Sequence, residues 1–313
     1  LDDFQLNYGI ESGKLLKQYF PEAYEEVKAI TDTIGCPNEQ FLAWLMCMGC
    51  CLDIDENTCA EVRGCTAFAF TCGEETYYAR TNDLPPFLKK ISKSILYQPE
   101  RGYKFILNTS SFTNGEEGIN EHGLVAAMTF AIPKITEIKA GLNSVFLVRY
   151  LLEKCKTTKE GVAAIQSLPV SSNCNILIAD KSGDMVVIEC NPYQKHIRCP
   201  MVNEYGNTFI ITVNDLLSSE MAIHKARQGN SFFSKERYST AENALLKLKD
   251  NPIDNAKTIL SGKCGFMCQY KKDLHFDTIW ATIFQLSDLS VYRAEGNPKR
   301  TPFCEDNRLI DCV

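Results

Sequence analysis

The sequence predicts an α+β fold in which two β-sheets pack together and are covered by helices, with a helical segment ahead of them. Three observations support this prediction. Apolar residues recur at helical spacing in the first part of the chain. At Gly64 the pattern changes to short runs of β-branched and aromatic residues, which are typical of strands. Two further helical blocks, at 142–167 and 234–261, separate groups of these runs.

The N-terminal segment is expected to form three helices. Apolar and aromatic residues follow helical spacing between residues 11 and 33, and Pro21 should divide this stretch because proline interrupts a helix interior. A third helix is expected from Asn38 to Cys51. The polar stretch 53–63 that follows is predicted to be an exposed loop.

Strand-like runs dominate the chain after Gly64. The first two should form a hairpin around Gly73, and the segment 180–184 should turn the chain between two later strands. The predicted strands are 66–71, 76–80, 103–109, 124–130, 175–180, 185–190, 208–213, 277–286 and 290–293.

Length and charge exclude several classes of function. The chain has 313 residues, enough for one large domain or two smaller ones. Its net charge of −6, with no basic run longer than two residues, argues against a nucleic-acid partner. The longest apolar stretch, 41–52, is too short to span a bilayer, so no membrane partner is expected. A homo-oligomer is compatible with the sequence.

The fifteen cysteines have two interpretations, a disulfide-rich secreted protein or a protein of a reducing compartment. Several of them lie within apolar runs, where cysteine behaves as a small hydrophobic residue, and this favours a cytoplasmic protein. Cys47 and Cys50 lie on an apolar helix, so core packing is preferred to zinc binding there. A metal or redox role for Cys264 and Cys268 has only weak support. No metal and no cofactor is expected.

Cys65 is the strongest candidate for chemistry. It follows Gly64 where the predicted loop meets a strand, and the thiol can attack the preceding carbonyl and cut the chain between these two residues. The new α-amino group would have a pKa of about 7.7–8.0, so it could act as the general base for its own thiol. Cys65 would then supply both the nucleophile and the base.

Arg80 and Asp83 follow the first hairpin, whose antiparallel strands should bring them close to Cys65. A carboxylate at Asp83 could hold the new ammonium group, and a guanidinium at Arg80 could favour the thiolate. Considered without Cys65, the two residues would be interpreted as a surface ion pair of little value to stability.

Gly-Cys-Thr at 64–66, followed by a hairpin and by Arg-x-Asn-Asp at 80–83, resembles the start of choloylglycine hydrolases and isopenicillin-N acyltransferases. These enzymes form a branch of the N-terminal-nucleophile hydrolases. The resemblance continues through segments 117–124, 212–215, 234–238, 277–286 and 296–298. It implies a four-layer αββα sandwich with a helical N-terminal segment.

The resemblance also implies a division of the chain and a set of roles. Residues 1–64 would be a propeptide that stays bound as an α-chain after cleavage between Gly64 and Cys65, and residues 65–313 would be the catalytic β-chain. Cys65 would be nucleophile and base, and Asp83 would orient its amine. The remaining implied site residues are Arg80 beside the thiol, Asn214 as oxyanion donor, and Arg237 as support or anion ligand.

Thr129 marks a departure from bile-salt hydrolases, which place an Asn at this position. A hydroxyl or a backbone N–H would have to serve the oxyanion there instead. Asn214 can alternatively be a turn residue, and Arg237 a solvated charge on a helix.

The sequence therefore predicts an enzyme that processes itself and cleaves a linear amide bond of a small N-acyl substrate through a Cys65 thioester. Water or an amine would then release the acyl group, which makes it a hydrolase or an N-acyltransferase. The first alternative is a bile-salt hydrolase. The second is an unprocessed, inactive relative that binds a ligand.

Overall fold

The structure is a computed structural model that describes residues 1–50, 64–110, 113–226, 231–270 and 275–311. The predicted loop 53–63 and the end of the predicted helix at Cys51 lie outside the described residues. Gly64 and Cys65 are consecutive residues of one strand, so the chain is described with the bond between them intact.

The N-terminal segment forms the three predicted helices, α1 (Asp3–Tyr19), α2 (Pro21–Ile34) and α3 (Asn38–Cys50). Helix α1 begins earlier than residue 11 because Asp2 and Gln5 form a capping box, in which each side chain accepts a hydrogen bond from the other's backbone N–H. Pro21 is the first residue of α2, which confirms the predicted break.

The part of the chain that starts at Gly64 contains groups of strands separated by pairs of helices. The strands are β1 (Gly64–Cys72), β2 (Glu75–Leu84), β3 (Lys93–Tyr97), β4 (Phe105–Thr109), β5 (Glu117–Asn120), β6 (Val125–Phe130), β7 (Cys174–Ala179), β8 (Met185–Cys190), β9 (Lys195–Arg198), β10 (Met201–Val202), β11 (Thr208–Thr212), β12 (Asp277–Gln285), β13 (Ser290–Ala294) and β14 (Cys304–Asp306). The helices are α4 (Ser144–Lys154), α5 (Thr158–Ser167), α6 (Ser234–Leu245), α7 (Pro252–Leu260) and α8 (Arg308–Asp311).

These strands form two seven-stranded sheets. The first sheet has the order β10-β11-β1-β2-β12-β13-β14, and the second has the order β3-β4-β5-β6-β7-β8-β9. The paired strands within both sheets are antiparallel. Strand β1 therefore lies inside the first sheet, between β2 and β11, where both of its edges are paired.

Three hydrophobic cores separate four layers. The first lies between α6–α7 and the first sheet, and it contains Phe68 and Phe70 of β1. The second lies between the two sheets and contains Ala67 and Ala69 from the opposite face of β1. The third joins the second sheet to α4, α5 and the N-terminal helices. This arrangement confirms the predicted αββα sandwich.

The differences from the predicted elements are local. The nine predicted strands are present, but the sheet-edge strands β3, β9, β10 and β14 and the inner strand β5 were not predicted. The edge strands are short and only partly buried, so their sequences lack a clear apolar alternation. Strand β5 is fully buried but has only four residues, Glu-Gly-Ile-Asn, of which one is a large apolar residue. Each predicted helical block consists of two helices. In the block 142–167, the Thr157 side chain caps the start of the second helix, α5. In the block 234–261, Pro252 is the first residue of the second helix, α7.

The N-terminal helices are packed into the sandwich. Leu16, Phe20 and Val27 are fully buried in the same core as residues of α4. Polar contacts supplement this core, because Arg149 of α4 pairs with Glu26 at 2.5 Å and Lys154 pairs with Glu22 at 2.7 Å. None of the helices within the described ranges combines the length and the apolar character that crossing a membrane requires.

A glycine sets the distance between α1 and α3. A Cβ atom added at Gly9 would lie 2.1 Å from Ala43 Cα, which is backbone and cannot move aside. A Cβ at Gly13, one turn later on α1, would meet only the end of the Leu42 side chain, at 3.2 Å. We therefore expect Gly9→Ala to lower the free energy of unfolding by roughly 1–3 kcal/mol, as overpacking does.

Gly13→Ala is the matched control, since both substitutions give α1 the same gain in helix propensity, about 1 kcal/mol. Urea unfolding followed by circular dichroism measures both variants. A midpoint for Gly9→Ala at or above that of Gly13→Ala would contradict this account of α1–α3 packing.

Candidate active site

The hairpin of β1 and β2 arranges the predicted residues on two faces of the first sheet. In the observed register Gly64 lies opposite Asp83, Cys65 opposite Asn82, and Ala67 opposite Arg80. Because alternate residues of a strand face opposite sides, Cys65, Arg80 and Asn82 share the face that meets the second sheet. Asp83 faces the other side, toward α6 and the segment before β12.

The Cys65 thiol is held by two side chains of β2. Arg80 Nη2 donates to Cys65 Sγ at 3.1 Å, and Sγ donates to Asn82 Oδ1 at 3.2 Å. Arg80 Nη2 also donates to Asn82 Oδ1 at 3.0 Å, which closes a triangle of contacts. The other guanidinium nitrogen of Arg80, Nη1, donates to the carbonyls of Met128, at 2.5 Å, and Glu116, at 3.1 Å. The guanidinium thus bridges the two sheets beside the thiol.

Burial raises the pKa of the Cys65 thiol, and the positive charges of Arg80 and Arg237 oppose this rise only in part. The thiol therefore remains protonated in the uncut chain, in agreement with its donation to Asn82. A thiolate at this position requires a base that can take the proton.

The backbone of Cys65 is held by two residues from other elements. Asn214, just beyond the end of β11, accepts from Cys65 N at 2.6 Å with its Oδ1 atom. Arg237 of α6 donates to Cys65 O, and to Asn214 Oδ1 at 2.9 Å. Asn214 Nδ2 donates to Phe130 O at 2.9 Å. The nitrogen that cleavage would convert into an amine is thus already fixed by a side-chain oxygen.

Arg237 is fully buried, so the alternative of a solvated helix charge does not describe it. Besides its contacts with Cys65 and Asn214, it donates to Thr66 Oγ1 at 2.7 Å and to Phe232 O through two nitrogens, at 2.7 and 3.0 Å. Helix α6 thereby places one cation against the first two residues after the Gly64–Cys65 bond.

Asp83 lies beside the Gly64–Cys65 bond and accepts hydrogen bonds from three hydroxyls. Thr278 Oγ1 donates at 2.6 Å, Tyr270 Oη at 2.8 Å, and Thr81 Oγ1 at 3.4 Å. A Cβ atom added at Gly64 would lie 3.4 Å from Asp83 Oδ2. Burial raises the pKa of Asp83 to about 6, against the lowering effect of Arg237 and of the hydroxyl donors. The interpretation as a surface ion pair fails, because Asp83 and Arg80 are both fully buried.

Thr129 lies near this group, but its hydroxyl is engaged elsewhere. It donates to Val213 O at 2.7 Å, shares a hydrogen bond of 2.8 Å with Thr212 Oγ1, and accepts from Asn175 Nδ2 at 3.1 Å. These contacts tie β6 and β7 to the end of β11, directly before Asn214. The structure thus brings Arg80, Asn214 and Arg237 into contact with Cys65 and places Asp83 opposite Gly64. The Thr129 side chain holds the segment that carries Asn214.

Sequence reasoning missed three residues that touch the site. Asn82 could have been found from strand alternation, because it lies two residues after Arg80 and so shares its face. Tyr270 and Thr278 contact Asp83 from distant parts of the chain, and no local pattern in the sequence indicates either of them.

The described residues contain no cluster of three or more His, Cys, Asp or Glu side chains that could hold a metal ion. Cys47 is buried in the core, as expected, with its Sγ 3.7 Å from Gln5 O. Cys264 is exposed and Cys268 is buried, and both are free thiols.

Comparison with known proteins places this geometry in a family. Residues 71–300 match the family model of acyl-coenzyme A:6-aminopenicillanic acid acyl-transferase. No curated protein matches the chain significantly. A mutant conjugated bile acid hydrolase from Clostridium perfringens has a TM-score of 0.54 and 10% identity, with 78% of this chain and 93% of that chain covered.

Two further solved structures are similar at lower TM-scores. Penicillin V acylase from Agrobacterium tumefaciens has a TM-score of 0.47 and 13% identity, covering 74% of this chain and 82% of its own. The Caenorhabditis elegans ortholog of N-acylethanolamine-hydrolyzing acid amidase has a TM-score of 0.49 and 13% identity, covering 70% and 92%.

The family match covers well over half of the chain, although it begins after Cys65. The bile acid hydrolase shares the sandwich fold. These findings confirm the predicted N-terminal-nucleophile hydrolase fold and the prediction of an enzyme of the amide hydrolase and acyltransferase class. The chain belongs to the acyl-coenzyme A:6-aminopenicillanic acid acyl-transferase family of N-terminal-nucleophile enzymes.

Proposed function

We propose that this protein cuts itself between Gly64 and Cys65 and then cleaves a linear amide bond of a small N-acyl substrate through a thioester on Cys65. One observation carries the proposal: each polar group of Cys65 has a hydrogen-bond partner. The thiol contacts Arg80 and Asn82. The backbone N–H donates to Asn214, and the backbone carbonyl accepts from Arg237. A cysteine that served only to fill the core would need partners for its backbone groups but no cation beside its thiol.

Self-cleavage follows from the position of the thiol. Sγ adds to the Gly64 carbonyl carbon, the bond from that carbon to Cys65 N breaks, and the thiol proton ends on the departing nitrogen. Water then hydrolyses the thioester, which leaves a carboxylate on Gly64 and a free thiol on Cys65. The hydrogen bond from Cys65 N to Asn214 Oδ1 supports this step, because it holds the leaving nitrogen in place.

The mature reaction uses the new amine as base. The α-amino group takes the thiol proton, Sγ adds to the substrate carbonyl, and the proton passes to the leaving amine as its C–N bond breaks. Water then releases the acyl group as an acid, or a second amine accepts it. Burial supports this division of roles, because it holds the pKa of the thiol too high for a thiolate without a base.

Each surrounding residue receives a role in this scheme. Asn214 Oδ1 and the Asp83 carboxylate hold the amine, and Arg80 stabilises the thiolate. Arg237 fixes Asn214 and the first strand residues. One N–H of Asn214 is bonded to Phe130 O, and the second can donate to the oxyanion, as the sequence predicted.

Hydrolysis of bile-acid conjugates is the alternative within the same mechanism. The position occupied by Thr129 argues against it, since the hydroxyl is bonded to Val213 O and does not replace the amide that bile-salt hydrolases carry there. The second alternative is not an enzyme but an unprocessed, inactive relative that binds a ligand.

Assays of the purified protein with N-acyl amino acids, penicillins and bile conjugates distinguish the proposed function from these two alternatives.

Intact-mass spectrometry tests self-cleavage directly. We expect the wild-type protein to appear as two fragments that end at Gly64 and begin at Cys65. Cys65→Ala should remain one chain and should lack amidase and acyltransferase activity, because it has no nucleophile. The control is Cys199→Ala, which removes an exposed thiol that makes none of these contacts and should be cleaved and active like the wild type.

A single intact wild-type chain with no turnover of any amide in the panel would contradict the proposal and support the inactive relative. Cleavage that persists in Cys65→Ala would show that a different nucleophile is used.

The N-terminal fragment is proposed to remain bound as an α-chain. Its helices share a hydrophobic core with α4, and salt does not weaken such burial as it weakens ion pairs. We expect the two fragments to elute together in size-exclusion chromatography, even in 1 M NaCl, which screens the Glu26–Arg149 and Glu22–Lys154 pairs. Separation of the fragments without denaturant would contradict an α-chain role. Uncut Cys65→Ala provides the elution standard.

Asp83 should make stability depend on pH in a defined direction. Its pKa rises from 3.8 to about 6 on folding, so the folded state binds the proton more tightly than the unfolded state. The contribution of Asp83 to stability is therefore present below pH 3.8 and is lost as the pH rises through 6. A shift of this size corresponds to about 3 kcal/mol. Asp83→Asn should thus gain stability, relative to its parent, between pH 4 and pH 8.

Urea unfolding at pH 4 and pH 8, in the uncut Cys65→Ala background, measures this difference. Asp254→Asn is the control, because that carboxylate is exposed and should show no such change. If the free energy of unfolding of Asp83→Asn differs from that of its parent by the same amount at pH 4 and at pH 8, Asp83 is not a buried carboxyl that titrates between them.

A further inference from the structure

The row of side chains across the first sheet contains more than the predicted residues. Asn82 lies opposite Cys65 on one side, and Trp280 of β12 lies opposite Asn82 on the other. All three share the face that meets the second sheet, and each is buried. Asn82 is therefore the immediate neighbour of the thiol on the β2 side, while Asn214 approaches Cys65 from the β11 side.

Two N–H donors in this row have no acceptor among the described residues. They are Asn82 Nδ2 and Trp280 Nε1, and both atoms are buried. A buried donor without a partner costs roughly 1–3 kcal/mol. These two donors lie on neighbouring strands beside the Cys65 thiol, where an acceptor atom of a bound molecule would remove this cost.

The orientation of the Asn82 amide is fixed by its oxygen. Oδ1 accepts from Arg80 Nη2 at 3.0 Å and from Cys65 Sγ at 3.2 Å, and Arg80 is itself anchored to the carbonyls of Met128 and Glu116. Rotation of the amide would place its N–H groups against the guanidinium. Nδ2 therefore lies roughly 2.3 Å from Oδ1 of the same amide, and Oδ1 is in contact with the thiol.

We propose that Asn82 is a catalytic residue whose Nδ2 donates a hydrogen bond to the oxyanion formed when Cys65 Sγ adds to the substrate carbonyl. This inference rests on the proposed function. Asn82 would supply a hydrogen bond to the oxyanion that the Thr129 hydroxyl cannot supply, because that hydroxyl already donates to Val213 O.

The chemistry of this step is balanced without Asn82 gaining or losing a proton. Sγ forms a bond to the carbonyl carbon, the π pair of that carbonyl moves to its oxygen, and the thiol proton goes to the α-amine of Cys65. The Asn82 N–H only stabilises the negative oxygen. When the intermediate collapses, the C=O bond re-forms, the C–N bond of the amide breaks, and the leaving amine takes the proton from the α-ammonium group. Oδ1 loses the S–H contact but keeps its bond from Arg80, so the amide remains aimed at the oxyanion.

Steady-state kinetics on the best amide substrate of the wild-type enzyme test this role. A donor used only in the transition state should affect kcat and leave KM nearly unchanged. We expect Asn82→Leu, which has a similar volume but no polar atom, to lower kcat about 100-fold or more. Rates are normalised to the cleaved fraction measured by mass spectrometry, so that slower processing is not counted as slower catalysis.

An aldehyde analogue of the substrate provides an independent measurement. It forms a hemithioacetal with Cys65, and the oxygen of that adduct occupies the oxyanion position. The inhibition constant of the aldehyde should rise in Asn82→Leu by about the factor by which kcat/KM falls, because both report the same hydrogen bond.

Asn82→Asp tests the role in a side chain of the same shape, since it keeps an oxygen for Arg80, replaces the N–H donor with a second oxygen and adds a negative charge that repels the oxyanion. It should lose activity and aldehyde affinity as Asn82→Leu does. A kcat within threefold of the wild type in either variant, or a raised KM at constant kcat, overturns the catalytic role of Asn82 and leaves the proposed function intact. If wild-type and Cys65→Ala proteins turn over the substrate equally, the proposed function fails and this inference fails with it.

Discussion

The antiparallel pairing of β1 with β2 and β11 is the constraint on which the candidate site depends. It places Cys65 in a row of side chains between Asn82 and the strand that leads to Asn214. A slip of one residue would turn the thiol to the other face of the sheet and away from Arg80. The register is fixed by packing, because Ala67 and the other small residues of β1 meet the second sheet while its phenylalanines meet α6 and α7.

Buried charge is the second constraint, and it follows from the first. Arg80, Arg237 and Asp83 are fully removed from water, which costs free energy unless each finds partners. Arg80 and Arg237 use backbone carbonyls and the Cys65–Asn214 group, and Asp83 uses hydroxyls. These partners come from both sheets, from α6 and from the segment before β12. The two sheets and the α6–α7 layer must therefore be assembled before the site exists, and the site in turn fixes how they meet.

The sequence was sufficient for most of the interior of the fold, with the short strand β5 as the exception, and for most of the candidate site. The central strands carry strong apolar or alternating patterns, and the residues around Cys65 fall in local motifs such as Arg80-x-x-Asp83. The edge strands were missed because partial burial weakens their pattern. Thr129 was assigned a role by its position in the family pattern, but only its neighbours could reveal that Val213 O already occupies its hydroxyl.

The sequence by itself determined that the chain has a helical N-terminal segment, a strand-rich sandwich and a cysteine at the junction between them. Local properties decide these features: helical and strand periodicity, the break at Pro21, and Gly64 ahead of Cys65. Only the tertiary structure decided which atoms meet the thiol. Asn82, Asn214 and Arg237 reach Cys65 across separations of up to 172 residues, and hydrogen-bond direction at that distance depends on how the layers pack. That the Asn82 N–H meets no acceptor among the described residues is likewise a property of that packing.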